Sequence, residues 1–194
     1  MNSENRMDNE VLSSKGDVQE LIEKLLFAIG EDVSRPGLID TPQRVARAWK
    51  EWAKGYAPYQ GSLTTFPSTY TGLVARKGIP FASMCEHHLA PYTGTIDFAY
   101  TPDGQVLGIS KIIRLIRHYT ARLTIQEDLT ADLVEKFEEV VKSKGCIIKI
   151  TAYHSCESTR GVNAFNVPTV TLLTTGVFQN NPLLVQQFSS LSNV

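Results

Sequence analysis

Thr93-Gly94-Thr95-Ile96-Asp97-Phe98-Ala99-Tyr100-Thr101-Pro102-Asp103-Gly104 is the stretch on which the fold class turns. Residues 93–100 carry Thr, Ile, Phe and Tyr, types that suit a pleated, half-buried surface. Thr101-Pro102-Asp103-Gly104 has turn chemistry, with Pro presetting φ and Gly free to take a positive one. A hairpin is therefore expected, with Val106–Ile109 continuing the sheet. Upstream, residues 71–81 read as another strand. Downstream, Ile147–Tyr153 and the Thr- and Val-rich residues 169–178 read as two more.

Helices flank these strands. Asp17 can cap a helix whose apolar face is Val18, Leu21, Ile22, Leu25, Leu26 and Ile29, with Gly30 as its stop. Thr41-Pro42 begins a second, with Val45, Ala46, Trp49 and Trp52 as its stripe and Gly55 at its end. Past the hairpin, Ser110 is expected to cap a helix bearing Ile112, Ile113, Leu115, Ile116 and Tyr119. Thr130 is expected to start another, with Leu133, Val134, Phe137, Val140 and Val141 buried and Gly145 as its stop. A short helix should follow Asn181-Pro182. Helices, strands, two helices, strands: this order predicts an α+β domain, an antiparallel sheet with helices on one face, and an N-terminal helical extension. The expected division is a disordered polar tail over 1–16, a helical region over 17–60 and the main domain over 61–194. The strands outnumber what one small closed core needs, and sheet closure between copies of the chain would account for that.

Composition narrows the function. With 194 residues, 42% hydrophobic and 20% charged, the chain can bury a core without staples. Lys and Arg total 19 against 20 Asp and Glu, a net charge of −1, which excludes a general nucleic-acid grip but not anionic small molecules. The sequence has no apolar run near about 18 residues, so no membrane span is expected. Its opening, MNSENRMDNE, lacks an apolar signal core, and three cysteines do not make a disulfide framework. A reducing cytoplasm is the expected setting.

Two short segments hold most of the metal-binding chemistry. Cys85-Glu86-His87-His88 and His154-Ser155-Cys156 contain two of the three cysteines and three of the four histidines. Zinc takes thiolate and imidazole in tetrahedral array, and a catalytic site leaves one position open. Cys85 and His88 can reach one ion from a turn, and Cys156 can be the third ligand if its strand lies beside them. His87 and His154 flank those ligands, and imidazole titrates near neutral pH, so both are candidates for proton transfer. Cys146, within Cys146-Ile147-Ile148, reads as core, and His118 as a solvated helix residue.

Ser83-Met84-Cys85-Glu86-His87-His88-Leu89-Ala90-Pro91 resembles the signature of GTP cyclohydrolase I. So do Gly108-Ile109-Ser110-Lys111-Ile112, Ile125-Gln126-Glu127, and His154-Ser155-Cys156 followed by Arg160-Gly161-Val162, in the family's order from about residue 17 onward. The resemblance implies the tunnelling fold, in which subunit sheets join into a barrel. It also implies a homodecamer of two pentamers with active sites at subunit interfaces, and conversion of GTP and water to formate and 7,8-dihydroneopterin triphosphate. By position it makes Cys85, His88 and Cys156 the zinc ligands and His87 and His154 the catalytic histidines. It sets Ser110, Gln126 and Glu127 around ribose and guanine, and Arg44, Arg47, Lys111, Arg114 and Arg160 around the triphosphate. A carboxylate at Glu127 would accept both N1–H and the 2-amino group of guanine, a pair adenine cannot offer. The chain departs from the family's usual pattern at Thr124, where a Gln commonly stands two positions before the Gln-Glu pair, and at Asp128, Ala121, Gly78 and Val167-Pro168. Alternative readings are a relative that stops at the formamidopyrimidine or prefers dGTP, and a non-catalytic, zinc-stabilised oligomeric binder.

Overall fold

The computed structural model describes residues 17–191, so the expected tail over 1–16 lies outside the described residues. The chain forms two compact units, one ending at Ala57 and one starting at Pro58. In the first, helix α1 spans Val18–Ala28 and helix α2 spans Thr41–Trp52, packed against each other. Asp17 caps α1 as expected, its carboxylate accepting from the Gln19 amide at 2.9 Å. Gly30, at φ +90°, turns the chain away. Pro42 lies in the first turn of α2. The helix ends before Gly55, which sits in a 3-10 turn over Lys54–Tyr56.

The second unit runs β1 (Thr65–Pro67), β2 (Val74–Cys85), β3 (Ala90–Pro102), β4 (Gln105–Leu107), α3 (Ile109–Tyr119), β5 (Leu123–Thr124), α4 (Gln126–Val140), β6 (Ser143–His154), the single turn α5 (Ser155–Ser158), β7 (Thr169–Thr174) and α6 (Pro182–Ser190). Five strands form one sheet in the order β5-β2-β3-β6-β7, antiparallel except where short β5 runs parallel to β2.

Period-two burial assigns the faces. Ile96, Phe98 and Tyr100 of β3 and Cys146, Ile148, Ile150 and Ala152 of β6 point to one side. There they meet Ile112, Leu115 and Ile116 of α3 and Leu129, Leu133, Val134 and Phe137 of α4. The opposite face is partly covered too: Ala99 and Ile147 pack with Phe178 and with Phe188 of α6. Cys146 is core, as expected, and burial pushes its thiol up to about 12.

Several expectations are corrected. The turn at 101–104 exists, with Gly104 at φ +74°, but β4 does not return along β3. It pairs with β1 in a separate two-stranded sheet, because β3 already has β2 on one side and β6 on the other. Gly108, not Ser110, is the N-cap of α3, and Ser110 lies in the first turn. Helix α4 starts at Gln126 rather than Thr130, whose hydroxyl donates back to the Gln126 carbonyl at 2.7 Å. Val140 is exposed. Gly145 is no helix stop but a residue of β6 at φ +145°, where a Cβ would lie 2.4 Å from the Thr175 carbonyl oxygen. The strand expected over 169–178 ends at Thr174, and a 3-10 turn covers Gly176–Phe178. His118 is half-buried and packs edge-on against Tyr59, 5.0 Å between ring centroids.

One buried ion pair ties α6 to the sheet. At the bulge in β2, Lys77 Nζ lies 3.0 Å from Asp97 Oδ2, and Asp97 Oδ1 accepts from the Gly78 amide at 2.8 Å. The same ammonium donates to the Phe188 carbonyl at 3.2 Å and sits 4.1 Å from the centre of its ring. Lys77→Met keeps the stem but strands the Asp97 charge, a loss expected to cost about 3–5 kcal/mol. Thermal unfolding checks it, and an unchanged midpoint would show that the pair adds no net stability.

Candidate metal centre

Cys85 is the last residue of β2, and the chain reverses at once into β3 through residues 86–89. The reversal is tight: the Leu89 amide donates to the Cys85 carbonyl at 2.9 Å and the His88 amide to the same oxygen at 3.4 Å. Leu89 closes it at φ +51°, a left-handed conformation that a leucine adopts at some cost. The turn wraps His88 back over Cys85, with Nδ1 3.7 Å from Sγ. A third donor comes from two strands away. In the sheet His154, the last residue of β6, stands opposite Tyr92 of β3. The chain then coils into α5, anchored by the Ser155 hydroxyl donating to the Pro91 carbonyl at 2.5 Å. Cys156 is thereby carried to the Cys85 end of the sheet, from a helical turn rather than the expected strand.

Donor atoms of Cys85, His88 and Cys156 all lie within 4.8 Å of one another. Around a tetrahedral ion with bonds of about 2.0–2.3 Å, ligand atoms stand roughly 3.3–3.8 Å apart, so the group needs only a small contraction. Burial, then the Cys85 thiol beside it, holds the Cys156 thiol above its ordinary value. A coordinated cation reverses that preference by deprotonating its thiol ligands. A tetrahedral ion held by these three donors would keep its fourth position for a water or a substrate atom.

His87 is exposed on the same turn and is not one of the three donors; its ring centre is 6.2 Å from that of His88, nearly perpendicular. His154 is half-buried, stacked on the Tyr92 ring at 4.4 Å and 9°, with Nε2 3.0 Å from the Gln126 side-chain oxygen. Burial holds its imidazole below the ordinary value, against the opposing carboxylates of Glu157 and Glu127. Gln126 is only 1% exposed, whereas Glu127, next to it in the first turn of α4, is exposed.

The remaining sequence-predicted residues are more dispersed. Arg160 is exposed just beyond α5, near enough to Cys156 to act on its thiol. Ser110, Lys111 and Arg114 lie along the first turns of α3, with Lys111 Nζ 3.4 Å from the Ser62 hydroxyl. Arg44 and Arg47 belong to the first unit, where Arg44 pairs with Asp40 at 3.4 Å. Sequence reasoning missed Tyr92, which shares the even-numbered face of β3 with Ile96, Phe98 and Tyr100 and so looks like any core aromatic.

The family model for GTP cyclohydrolase I matches residues 18–193. The chain belongs to the GTP cyclohydrolase I family. Its antiparallel sheet with α3 and α4 on one face is the tunnelling-fold unit of that family. Among curated relatives, GTP cyclohydrolase 1 of Rickettsia typhi is 40% identical over 169 residues, covering 85% of this chain and 89% of the relative. GTP cyclohydrolase 1 of Hyphomonas neptunium is 37% identical over 190 residues, covering 96% and 92%. A solved structure of the archaeosine synthase QueF-Like in its apo form aligns with TM-score 0.43 and 22% identity over 54% of this chain and 93% of that one.

Proposed function

We propose that this protein is a zinc-dependent GTP cyclohydrolase I: it hydrolyses GTP at C8 of the purine, releases formate, and rearranges the remainder to 7,8-dihydroneopterin triphosphate. The observation that carries this reading is the open three-donor group of Cys85, His88 and Cys156 in a chain of this family. Two thiolates and an imidazole favour zinc over harder cations, which take oxygen. Bound there, zinc supplies the Lewis acidity that makes water a nucleophile near neutral pH.

The residues of the chain do the rest. Opening the imidazole ring of the purine needs one proton removed from the attacking water and another delivered to a ring nitrogen. His87 and His154 are the imidazoles beside the donors that can carry them. Ser110 is assigned to the ribose, and Gln126 enters through His154, to which it is bonded. Lys111, Arg114 and Arg160, with Arg44 and Arg47, are assigned to the triphosphate; the N-terminus of α3 favours an anion there as well. Residues 61–194, nearly the whole of the unit that starts at Pro58, are assigned as the catalytic domain, and residues 17–60 as its helical extension.

An assembly of ten subunits in two pentamers, with sites completed between chains, fits the edge of the sheet. Among the described residues strand β7 is paired only with β6, and it exposes Val170 and Leu172; Val162, Phe165 and Val167, just before it in the chain, are exposed as well. No helix among the described residues is long and apolar enough to cross a membrane. The cytoplasm is the proposed location.

Glu127 is assigned to the guanine edge, accepting two hydrogen bonds. Glu127→Ala is expected to lower kcat/KM for GTP by about 10- to 100-fold, as loss of hydrogen bonds to a charged group does, and to narrow the preference for GTP over ATP. Parent-like activity with unchanged selectivity would remove the assignment. The function itself is tested by incubating pure protein with GTP, with and without chelator. Formate, pterin fluorescence after oxidation and bound metal are then read in the same sample. Formate without pterin would mean a reaction halted at ring opening, and neither product would defeat the reading.

A further inference from the structure

We propose that Tyr92, keyed through Thr124 and Ser83, is a positioning residue that acts with Gln126 to fix His154 as its Nε2–H tautomer. The two hydrogen-bond chains around this imidazole each have only one consistent direction. In the first, the Ser83 hydroxyl donates to the Arg122 carbonyl at 3.1 Å, so its single proton is committed. Thr124, whose Oγ1 is 2.8 Å from Ser83 Oγ, must therefore donate to Ser83. Its lone pair is left for the Tyr92 hydroxyl at 2.6 Å. The run Tyr92 to Thr124 to Ser83 to the Arg122 carbonyl satisfies every proton in a buried place, and it fixes the tilt of the ring on which His154 lies flat. Thr124 stands where the family commonly carries Gln, and here its hydroxyl is the middle link.

The second chain sets the edge of the imidazole. Thr130 donates to the Gln126 backbone carbonyl at 2.7 Å, so Thr171, 2.7 Å from Thr130 Oγ1, donates to Thr130. Thr171 can then only accept from the Gln126 side chain, 3.2 Å away. The Gln126 amide nitrogen also faces the carbonyls of Ile150 at 3.3 Å and Thr169 at 3.1 Å. Turned over, its oxygen would oppose both of them. The oxygen therefore points at His154, and an oxygen there requires His154 Nε2 to carry the hydrogen. Nδ1 makes no hydrogen bond among the described residues, and in the neutral ring it holds the lone pair. Stacking fixes the plane of the ring and Gln126 fixes which nitrogen is bare, so a proton acceptor is presented at one atom only.

The effect on rate rests on the proposed cyclohydrolase activity; the tautomer does not. Nitrogen-15 solid-state spectra of histidine-labelled, metal-loaded protein at about pH 8.5, above the ordinary imidazole range, read it directly. His154→Gln assigns the resonances. A protonated Nε2 with a bare Nδ1 is expected, giving way to a mixture in Gln126→Leu. A mixture or an Nδ1–H ring in the parent would overturn the proposal whether or not GTP is turned over. Thr124→Val takes away the oxygen that holds the Tyr92 hydroxyl at 2.6 Å, and kcat should fall about fivefold or more with KM little changed. Tyr92→Phe keeps the stacked ring but breaks the same link, so it should slow kcat alike. A Thr124→Val or Tyr92→Phe protein as fast as the parent would also overturn it.

Discussion

Cys156→Ala protein will purify without its metal and turn GTP over at less than about one-hundredth of the parent rate. Removing even an outer partner of a metal ligand typically costs about 10–100-fold in affinity or activity, and Cys156 belongs to the donor group itself. The two ligands left, Cys85 and His88, sit on one turn and lie 3.7 Å apart. They can grip one side of an ion, but nothing closes the other side, because the third donor comes from α5 at the end of β6. The fold should survive. Cys156 is only partly buried and packs against the sheet-spanning core around Phe98, Phe137 and Ile150 rather than within it, and the chain is long enough to bury a core without a structural metal. The measurement is metal content per chain by elemental analysis, with turnover and far-UV circular dichroism on the same preparation. Full metal occupancy in the variant would mean that the ion sits elsewhere, and the proposed chemistry would lose its centre. Loss of the fold along with the metal would instead make the site structural rather than catalytic.

Local signals in the sequence were sufficient wherever a side chain answers to its own neighbours. Asp17 caps α1 and Asn181 caps α6, because capping needs only a short oxygen-bearing side chain and the amides that follow it. The buried face of α3 follows from helical spacing alone. Partner choice in the sheet is a different matter. The turn residues at 101–104 predict a reversal, and a reversal occurs, but whether the next strand can join β3 depends on which edges are already taken. Two long antiparallel neighbours fill both, so β4 finds β1 instead. The start of α4 was legible in principle. Glu127 and Asp128 place two carboxylates at its N-terminus, where the helix dipole favours them, and they outweigh Thr130 as a boundary signal.

The grouping of the three candidate donors was legible for a chemical reason. Thiols and imidazoles are scarce in this chain, and their clustering in two segments carries meaning before any fold is known. The surroundings of His154 were not. Tyr92, Ser83 and Thr124 are ordinary core and strand residues by type, and what joins them is the register of four neighbouring strands: Ser83 opposite Tyr92, Cys85 beside Thr124, Tyr92 opposite His154. Register is a property of pairing, and a one-residue slip would scatter all four.

His87→Ala is the variant that separates binding the metal from using it. His87 and His88 are neighbours on one tight turn, yet the turn directs only His88 at Cys85 and leaves His87 exposed, its ring nearly perpendicular to that of His88. An imidazole beside the three donors but outside their group is the one proposed here for proton transfer. Deleting such a group typically slows a reaction by on the order of 10²–10⁴-fold. The expectation is therefore a kcat lower by that factor, metal content equal to that of the parent, and GTP affinity little changed, since the groups assigned to guanine and triphosphate are intact. Equilibrium binding of a non-hydrolysable GTP analogue, elemental analysis and single-turnover kinetics report the three quantities separately. Full activity with the metal in place would exclude His87 from the chemistry and leave His154, already held on Tyr92 and Gln126, as the sole imidazole for both transfers. Loss of the metal would make His87 a ligand and would require the turn to rearrange, since its present geometry brings only His88 to the group.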